Sequence, residues 1–171
     1  DKFLESILKI SNLNNTWTCI FRPKKNYDYY LRNSNDLILE KIDQIIKSDR
    51  IIYLDSNFSA KDNIDAHNLI AVSDINIFSP MSSLSYDALC SKKKTIVFDP
   101  DKFYNNKKYV HTSSELLYVQ SYNELLDCLK FWQESKNDNM INILNDKLTK
   151  NYIDKYCDEK SCERFINFIN N

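Results

Sequence analysis

Ser82 and Ser83 stand side by side after a short β-branched and aromatic run, Ile75 to Phe78, and a proline, Pro80. Leu84, Tyr86, Ala88 and Leu89 follow in a stretch without glycine or proline, and Thr95 to Phe98 is a second β-branched run. That order predicts strand, turn, helix and parallel strand in one compact unit. A serine at a helix start caps it by offering its side-chain oxygen to a free backbone N–H. The remaining N–H groups, with two hydroxyls beside them, suit a phosphate. Spacing alone leaves both uses open, a cap only or a phosphate cradle. Asp87 lies four residues after Ser83, on the same helix face. Its carboxylate could accept hydrogen bonds from ribose hydroxyls, although the helix dipole already accounts for an acid there.

Cations come from elsewhere in the chain. Thr16 to Phe21 reads as a strand that runs straight into Arg22-Pro23-Lys24-Lys25. In open α/β sheets ligands bind where strands end, so Arg22 and Lys24 at a carboxyl edge could neutralise phosphate charge; a solvated basic turn explains them equally well. Asp99-Pro100-Asp101 spells D-x-D at the end of a buried-type strand, and a strand-terminating turn is the simpler reading. No His or Cys cluster has metal-ligand spacing, so no metal site is expected. His67 falls beside apolar residues in a short helix and reads as structural, while His111 lies in a polar loop. No histidine is placed to serve a serine or cysteine nucleophile.

Composition narrows the choices. Hydrophobic residues form 43% of the 171 residues, enough for a core and for one domain spanning 1–171. The net charge of −1 argues against nucleic-acid binding. No run approaches the roughly 20 apolar residues of a membrane span, and no secretory signal opens the chain. The five cysteines are scattered and odd in number, which reads as reduced thiols in the cytoplasm. Glycine is absent altogether, so neither the Rossmann fingerprint nor the P-loop can be present. A phosphate must then be held by helix starts, hydroxyls and cations, and turns must be made by Asn, Asp, Ser and Pro.

The positioning elements follow from periodicity. Helices are expected over Asp1–Ile10, Ser34–Lys47, Asn63–Val72, Ser121–Gln133, Asn137–Leu148 and Asp158–Ile169. Further strands are expected over Arg50–Leu54 and Leu116–Val119, and 101–115 reads as a surface loop. Helices alternating with strands predict an α/β fold, a Rossmann-like parallel sheet of about five strands with helices on both faces. The abrupt helical start suggests a piece of a longer chain.

The motif Ser73-Asp74, then Ser82-Ser83-Leu84-Ser85-Tyr86-Asp87-Ala88-Leu89, then Thr95-Ile96-Val97-Phe98-Asp99, resembles the C-terminal donor-binding half of GT-B glycosyltransferases. More narrowly it resembles the bacterial capsule and surface-polysaccharide group: Kdo-transferases, polysialyltransferases and teichoic-acid glycerophosphotransferases. Arg22-Pro23-Lys24 stands where that group has a basic-Pro or His-Pro element, with no histidine, so Arg22 or Lys24 would replace it. Asp158 to Arg164 is similar to the closing D-G-K-S-x-E-R element, with Glu159 in place of the glycine, and Thr95 stands where a proline usually follows Lys94. The resemblance implies one half of a GT-B enzyme that binds a nucleotide sugar (CMP-, CDP- or UDP-linked) as substrate, without a cofactor. It implies a nucleotide and phosphate site of Arg22, Lys24, Ser82, Ser83 and Asp87. Its partners would be an N-terminal acceptor-binding domain and a saccharide or lipid-linked acceptor. The location would be cytoplasmic, compatible with peripheral association at the inner membrane face. An inactive GT-B-like binding or assembly module, and a UDP-sugar 2-epimerase-like half, are the alternatives; the epimerase would want further acids and histidines.

Overall fold

The computed structural model describes residues 2–13, 16–55, 65–104, 117–134, 160, 163–164 and 166–167. In chain order the elements are α1 (Lys2–Leu13), β1 (Cys19–Phe21), α2 (Tyr27–Asn33), α3 (Asp36–Ile46) and β2 (Ile51–Tyr53), followed by α4 (Ala66–Val72), β3 (Ile75–Phe78), α5 (Ser83–Cys90), β4 (Lys94–Phe98), β5 (Tyr118–Val119) and α6 (Tyr122–Glu134). The expected helix Asn137–Leu148, most of Asp158–Ile169, and His111 lie outside the described residues.

All strand pairings are parallel, as the βαβ pattern requires. The α/β class is as expected, but the described strands do not join in the one sheet of about five strands that the sequence suggests. Among the described residues there are two small sheets, β1–β2 and β3–β4–β5. The β3–β4 register runs from Ile75↔Lys94 to Phe78↔Val97, and Val97 and Phe98 pair with Tyr118 and Val119. Strands of two to five residues leave little backbone for a ladder between the sheets, and side chains bridge them instead. Ile77 of β3 packs into the cluster that Ile7, Ile45 and Ile51 form with Phe21. Phe3 of α1 contacts Phe21 and Phe98 at ring-centroid distances of 6.3 and 6.1 Å.

The main core lies on one face of the three-stranded sheet. Strand alternation sends Ile96, Phe98 and Val119 to that face, against Ile10 of α1 and Leu125, Cys128, Leu129 and Trp132 of α6. Each fully buried side chain of this size contributes about 1.5–3 kcal/mol. The opposite face carries Thr95 and Val97, and α5 covers it with Ala88 and Leu89 fully buried. This sheet therefore has helices on both faces. The β1–β2 sheet is covered on the Cys19, Phe21, Ile51 and Tyr53 side, while Ile20 and Ile52, paired in register, stay 41% and 49% exposed.

Turn and cap chemistry follows from the missing glycine. Asn26, Asn35 and Asp65 cap α2, α3 and α4, each accepting a backbone N–H three residues on. Helix α5 ends with the Lys93 N–H on the Ala88 carbonyl and the Lys92 N–H on the Leu89 carbonyl. That is a Schellman ending with Lys92, at φ 56°, in the left-handed place glycine usually takes. Ser121 and Glu124 form the expected cap of α6: Ser121 Oγ accepts the Glu124 N–H, and Glu124 Oε2 accepts the Gln120 and Ser121 N–H groups. Those bonds hold the Glu124 carboxyl below its ordinary range.

Candidate functional site at the carboxyl ends of the strands

Four residues separate the end of β3 from the start of α5, and the Ser79–Pro80 bond among them is cis. Ser82 occupies the N-cap with extended backbone (φ −143°, ψ 172°), as expected. The hydroxyl that carries the cap belongs to Ser85, however. Its Oγ–H donates to the Ser82 carbonyl at 2.6 Å, and its oxygen accepts the Ser82 N–H at 3.3 Å. Ser82 Oγ closes the other half of this box only loosely, short of a hydrogen bond of good geometry. Ser85 is fully buried, Ser82 half-buried and Ser83 exposed. Ser83 is thus left on the exposed side of the helix start, and Ser82 is engaged only loosely, because a third serine makes the well-formed bonds of the cap.

The cationic segment leaves β1 with Arg22 half-buried, Pro23 buried and Lys24 exposed. It is pinned at its far end. The Tyr27 N–H donates to Asp55 Oδ2 at 2.9 Å, and the Tyr27 hydroxyl to Asp43 Oδ1 at 2.6 Å, tying the start of α2 to the end of β2 and to α3. Phe21 and Phe98 end β1 and β4, and both touch Phe3, so these two strand ends lie on one side of the molecule. Ile77, next to last in β3, packs in the same cluster as Phe21. The cations and the serine turn therefore leave neighbouring strand ends. Lys24 makes no hydrogen bond or ion pair to the serines, so the cations and the serine pair follow strand ends on one side of the molecule without forming one contact set.

Asp87 points elsewhere than the serine pair. Its Oδ2 lies 3.3 Å from His67 Nε2 across the α4–α5 interface, with the two side chains 49% and 65% exposed. The expectation that His67 is a structural residue among apolar neighbours is thereby corrected. As the second residue of α4 it projects to solvent, while Ile70 one turn on is buried. Below the pair is a cleft of about 90 Å³ lined by His67, Ile70, Ala71, Asp87, Ser91 and Lys93, with Lys93 Nζ donating to the Ala71 carbonyl.

The D-x-D is a turn anchor. Asp99 is 2% exposed and its carboxylate accepts the Phe103 and Tyr104 N–H groups at 3.0 Å each and the Tyr118 hydroxyl at 2.5 Å. Burial, followed by the bond to Asp99, pushes the Tyr118 hydroxyl up to about 12. Asp101 is exposed and lies 4.0 Å from Lys2 Nζ. Both Asp99 oxygens are spent on protein donors, so the D-x-D offers no carboxylate pair to a metal. Among the described residues no group of three His, Cys, Asp or Glu stands close enough to hold one.

Residues 1–129 match the family model described as polysaccharide biosynthesis PFTS motif protein. The chain belongs to that family. Its setting is accordingly polysaccharide biosynthesis. No curated protein and no solved structure matches the chain. The matched span takes in every element through most of α6, and with it both the serine turn and the cationic strand end. No helix among the described residues is long and apolar enough to cross a membrane. Cys19, Cys90 and Cys128 are free thiols, and burial pushes Cys128 up to about 11, which leaves it inert rather than nucleophilic.

Two parts of this edge escape a reading of the sequence. Ser85 is one hydroxyl among several in the Ser82–Ser91 stretch, and only its burial separates it from Ser82 and Ser83. Helix α2 has no buried residue and hence no apolar period, although Asn26 three residues before Tyr29 was a usable cap signal.

Proposed function

We propose that this chain binds the nucleotide-sugar donor of a glycosyltransferase that builds a bacterial surface polysaccharide, as one Rossmann-like half of a GT-B enzyme. The observation that carries this reading is the start of α5, where Ser83 is exposed and Ser82 is held only loosely while Ser85 makes the well-formed bonds of the cap. Backbone N–H groups at a helix start and two hydroxyls together form an anion site, and Arg22 and Lys24 supply positive charge from the adjacent strand end. Read as one-letter residue codes, the motif in the family's description has a conservative counterpart in Pro80-Met81-Ser82-Ser83: proline, a large apolar residue and two hydroxyls. Holding the departing nucleotide phosphate with fixed donors is an electrostatic contribution to transfer and needs no metal. Asp87 faces His67 across the α4–α5 interface, away from the serine pair, so the ribose contact expected of it forms no part of this reading. The acceptor, a saccharide or lipid-linked saccharide, would be held by a separate N-terminal domain, on the cytoplasmic side and close to the membrane.

Calorimetric titration with CMP, CDP and UDP, with and without EDTA, tests the reading. One of them should bind with an affinity that survives chelation, and no binding by any of the three overturns it. A second reading, a donor-binding module without turnover, is favoured by one observation: the strand end carries Arg22-Pro23-Lys24 and no histidine. Donor binding without transfer by the full-length protein, given a panel of acceptors, would select it.

A further inference from the structure

The turn after β4 is built more firmly than a surface turn requires. Besides the three bonds to its carboxylate, Asp99 accepts the Lys102 N–H on its carbonyl at 3.1 Å and donates its own N–H to Val119. Lys102 takes a left-handed conformation, φ 59°, which costs a non-glycine residue about 1–2 kcal/mol. What this buried carboxylate and constrained lysine hold in place is Phe103, whose backbone N–H is fixed and whose ring is 66% exposed. The ring lies outside the core, with its face open to solvent on a turn of fixed backbone. It also stands in a telling place. β3 and β4 are hydrogen-bonded neighbours, about 4.8 Å apart, and the serine turn and the Phe103 turn leave them at the same end.

We propose that Phe103 is the stacking platform for the donor's nucleobase, an inference that rests on the reading of Ser82 and Ser83 as the donor phosphate site. A nucleotide carries its phosphate and its base at opposite ends of a ribose. Neighbouring turns that offer hydroxyls at one and a flat apolar ring at the other match that division. Stacking is tolerant of base identity because every base has a π face, so Phe103 supplies affinity and leaves the choice of base to other groups.

The test compares the full-length parent, Phe103→Ala, Phe103→Trp and the double variant Ser82→Ala, Ser83→Ala by titration with CMP, CDP, UDP and inorganic pyrophosphate. Phe103→Ala should weaken the bound nucleotide about tenfold to a hundredfold and leave pyrophosphate unchanged, as removing one stacking ring does. Phe103→Trp should retain the affinity, with its fluorescence quenched on binding. The serine variant should weaken nucleotide and pyrophosphate alike. Unchanged nucleotide affinity in Phe103→Ala overturns the stacking role while the serine site stands. Equal losses for nucleotide and pyrophosphate in Phe103→Ala also overturn it, because the turn and not the base would then be at fault. If the parent binds no nucleotide, both the inference and the donor reading fall.

Discussion

Replacing Ser82 and Ser83 by alanine separates the proposed ligand binding from helix capping, because Ser85 makes the well-formed bonds of the cap. Each hydroxyl facing a phosphate makes a charge-assisted hydrogen bond worth about 1.5–3 kcal/mol. At the low end, losing one costs about tenfold in affinity, and losing both about a hundredfold. An ordinary N-cap serine would add a stability loss of about 1 kcal/mol on mutation. Here the loss should be smaller, since Ser85 carries the box through its bonds to the Ser82 carbonyl and N–H. Ser85→Ala is the complementary change. It strips the bonded hydroxyl from a fully buried position and should cost about 1–2 kcal/mol of stability, with little effect on affinity in the folded fraction. Denaturant melts and calorimetric titrations on the same samples give both numbers. A Ser82→Ala, Ser83→Ala variant that loses stability and keeps its affinity would refute the reasoning, since the pair would then be caps and nothing more.

Other expectations concern the scaffold. Lys92→Gly should stabilise the fold by about 0.5–1 kcal/mol, because glycine occupies the left-handed position without the Cβ clash; a urea midpoint measures it. Tyr118→Phe should cost about 1–3 kcal/mol by leaving the buried Asp99 carboxylate one donor short. In the parent, Tyr118 is raised to about 12, so its stabilisation is complete below pH 10 and fades as pH rises through 12, and ultraviolet titration should show one late phenol that Tyr118→Phe removes. Glu124 is held below its ordinary value, so its stabilisation is present above that value and lost as pH falls through the lowered one; Glu124→Gln should flatten that part of the acid limb of a stability–pH curve.

The βαβ unit at 75–98 was legible because its signals are local: β-branched runs, a proline turn and a hydroxyl at the helix start. Ser121 was legible for the same reason, with Glu124 three residues on completing the box. Sheet continuity was not. Whether β1 bonds to β3 depends on a pairing between segments more than fifty residues apart, and periodicity carries no information about it. The site divides in the same way. Strand ends could be placed from sequence: Arg22 and Lys24 follow the end of β1, and Ser82 and Ser83 follow the end of β3. The pairing of Asp87 with His67 joins residues on two helices through their packing, and no spacing rule marks it. Nor could spacing tell that Ser85, the inward-facing hydroxyl, would make the well-formed bonds of the cap.

The single ring of Phe3 lies against the last residue of β1 and the last residue of β4. Two sheets that share no backbone ladder among the described residues are in this way geared to one another through α1. A shift of α1 along its axis moves the cationic strand end and the strand beside the serine turn together, although β1 and β4 belong to separate sheets among the described residues. Alongside Ile77, which packs in the same cluster as Phe21, a residue that meets neither the cations nor the hydroxyls thus helps to set the gap between them. Phe3→Ala would loosen that gearing and leave each half-site chemically intact but free to drift from the other, a change visible as a lost correlation between their motions before any residue that meets a ligand has been altered.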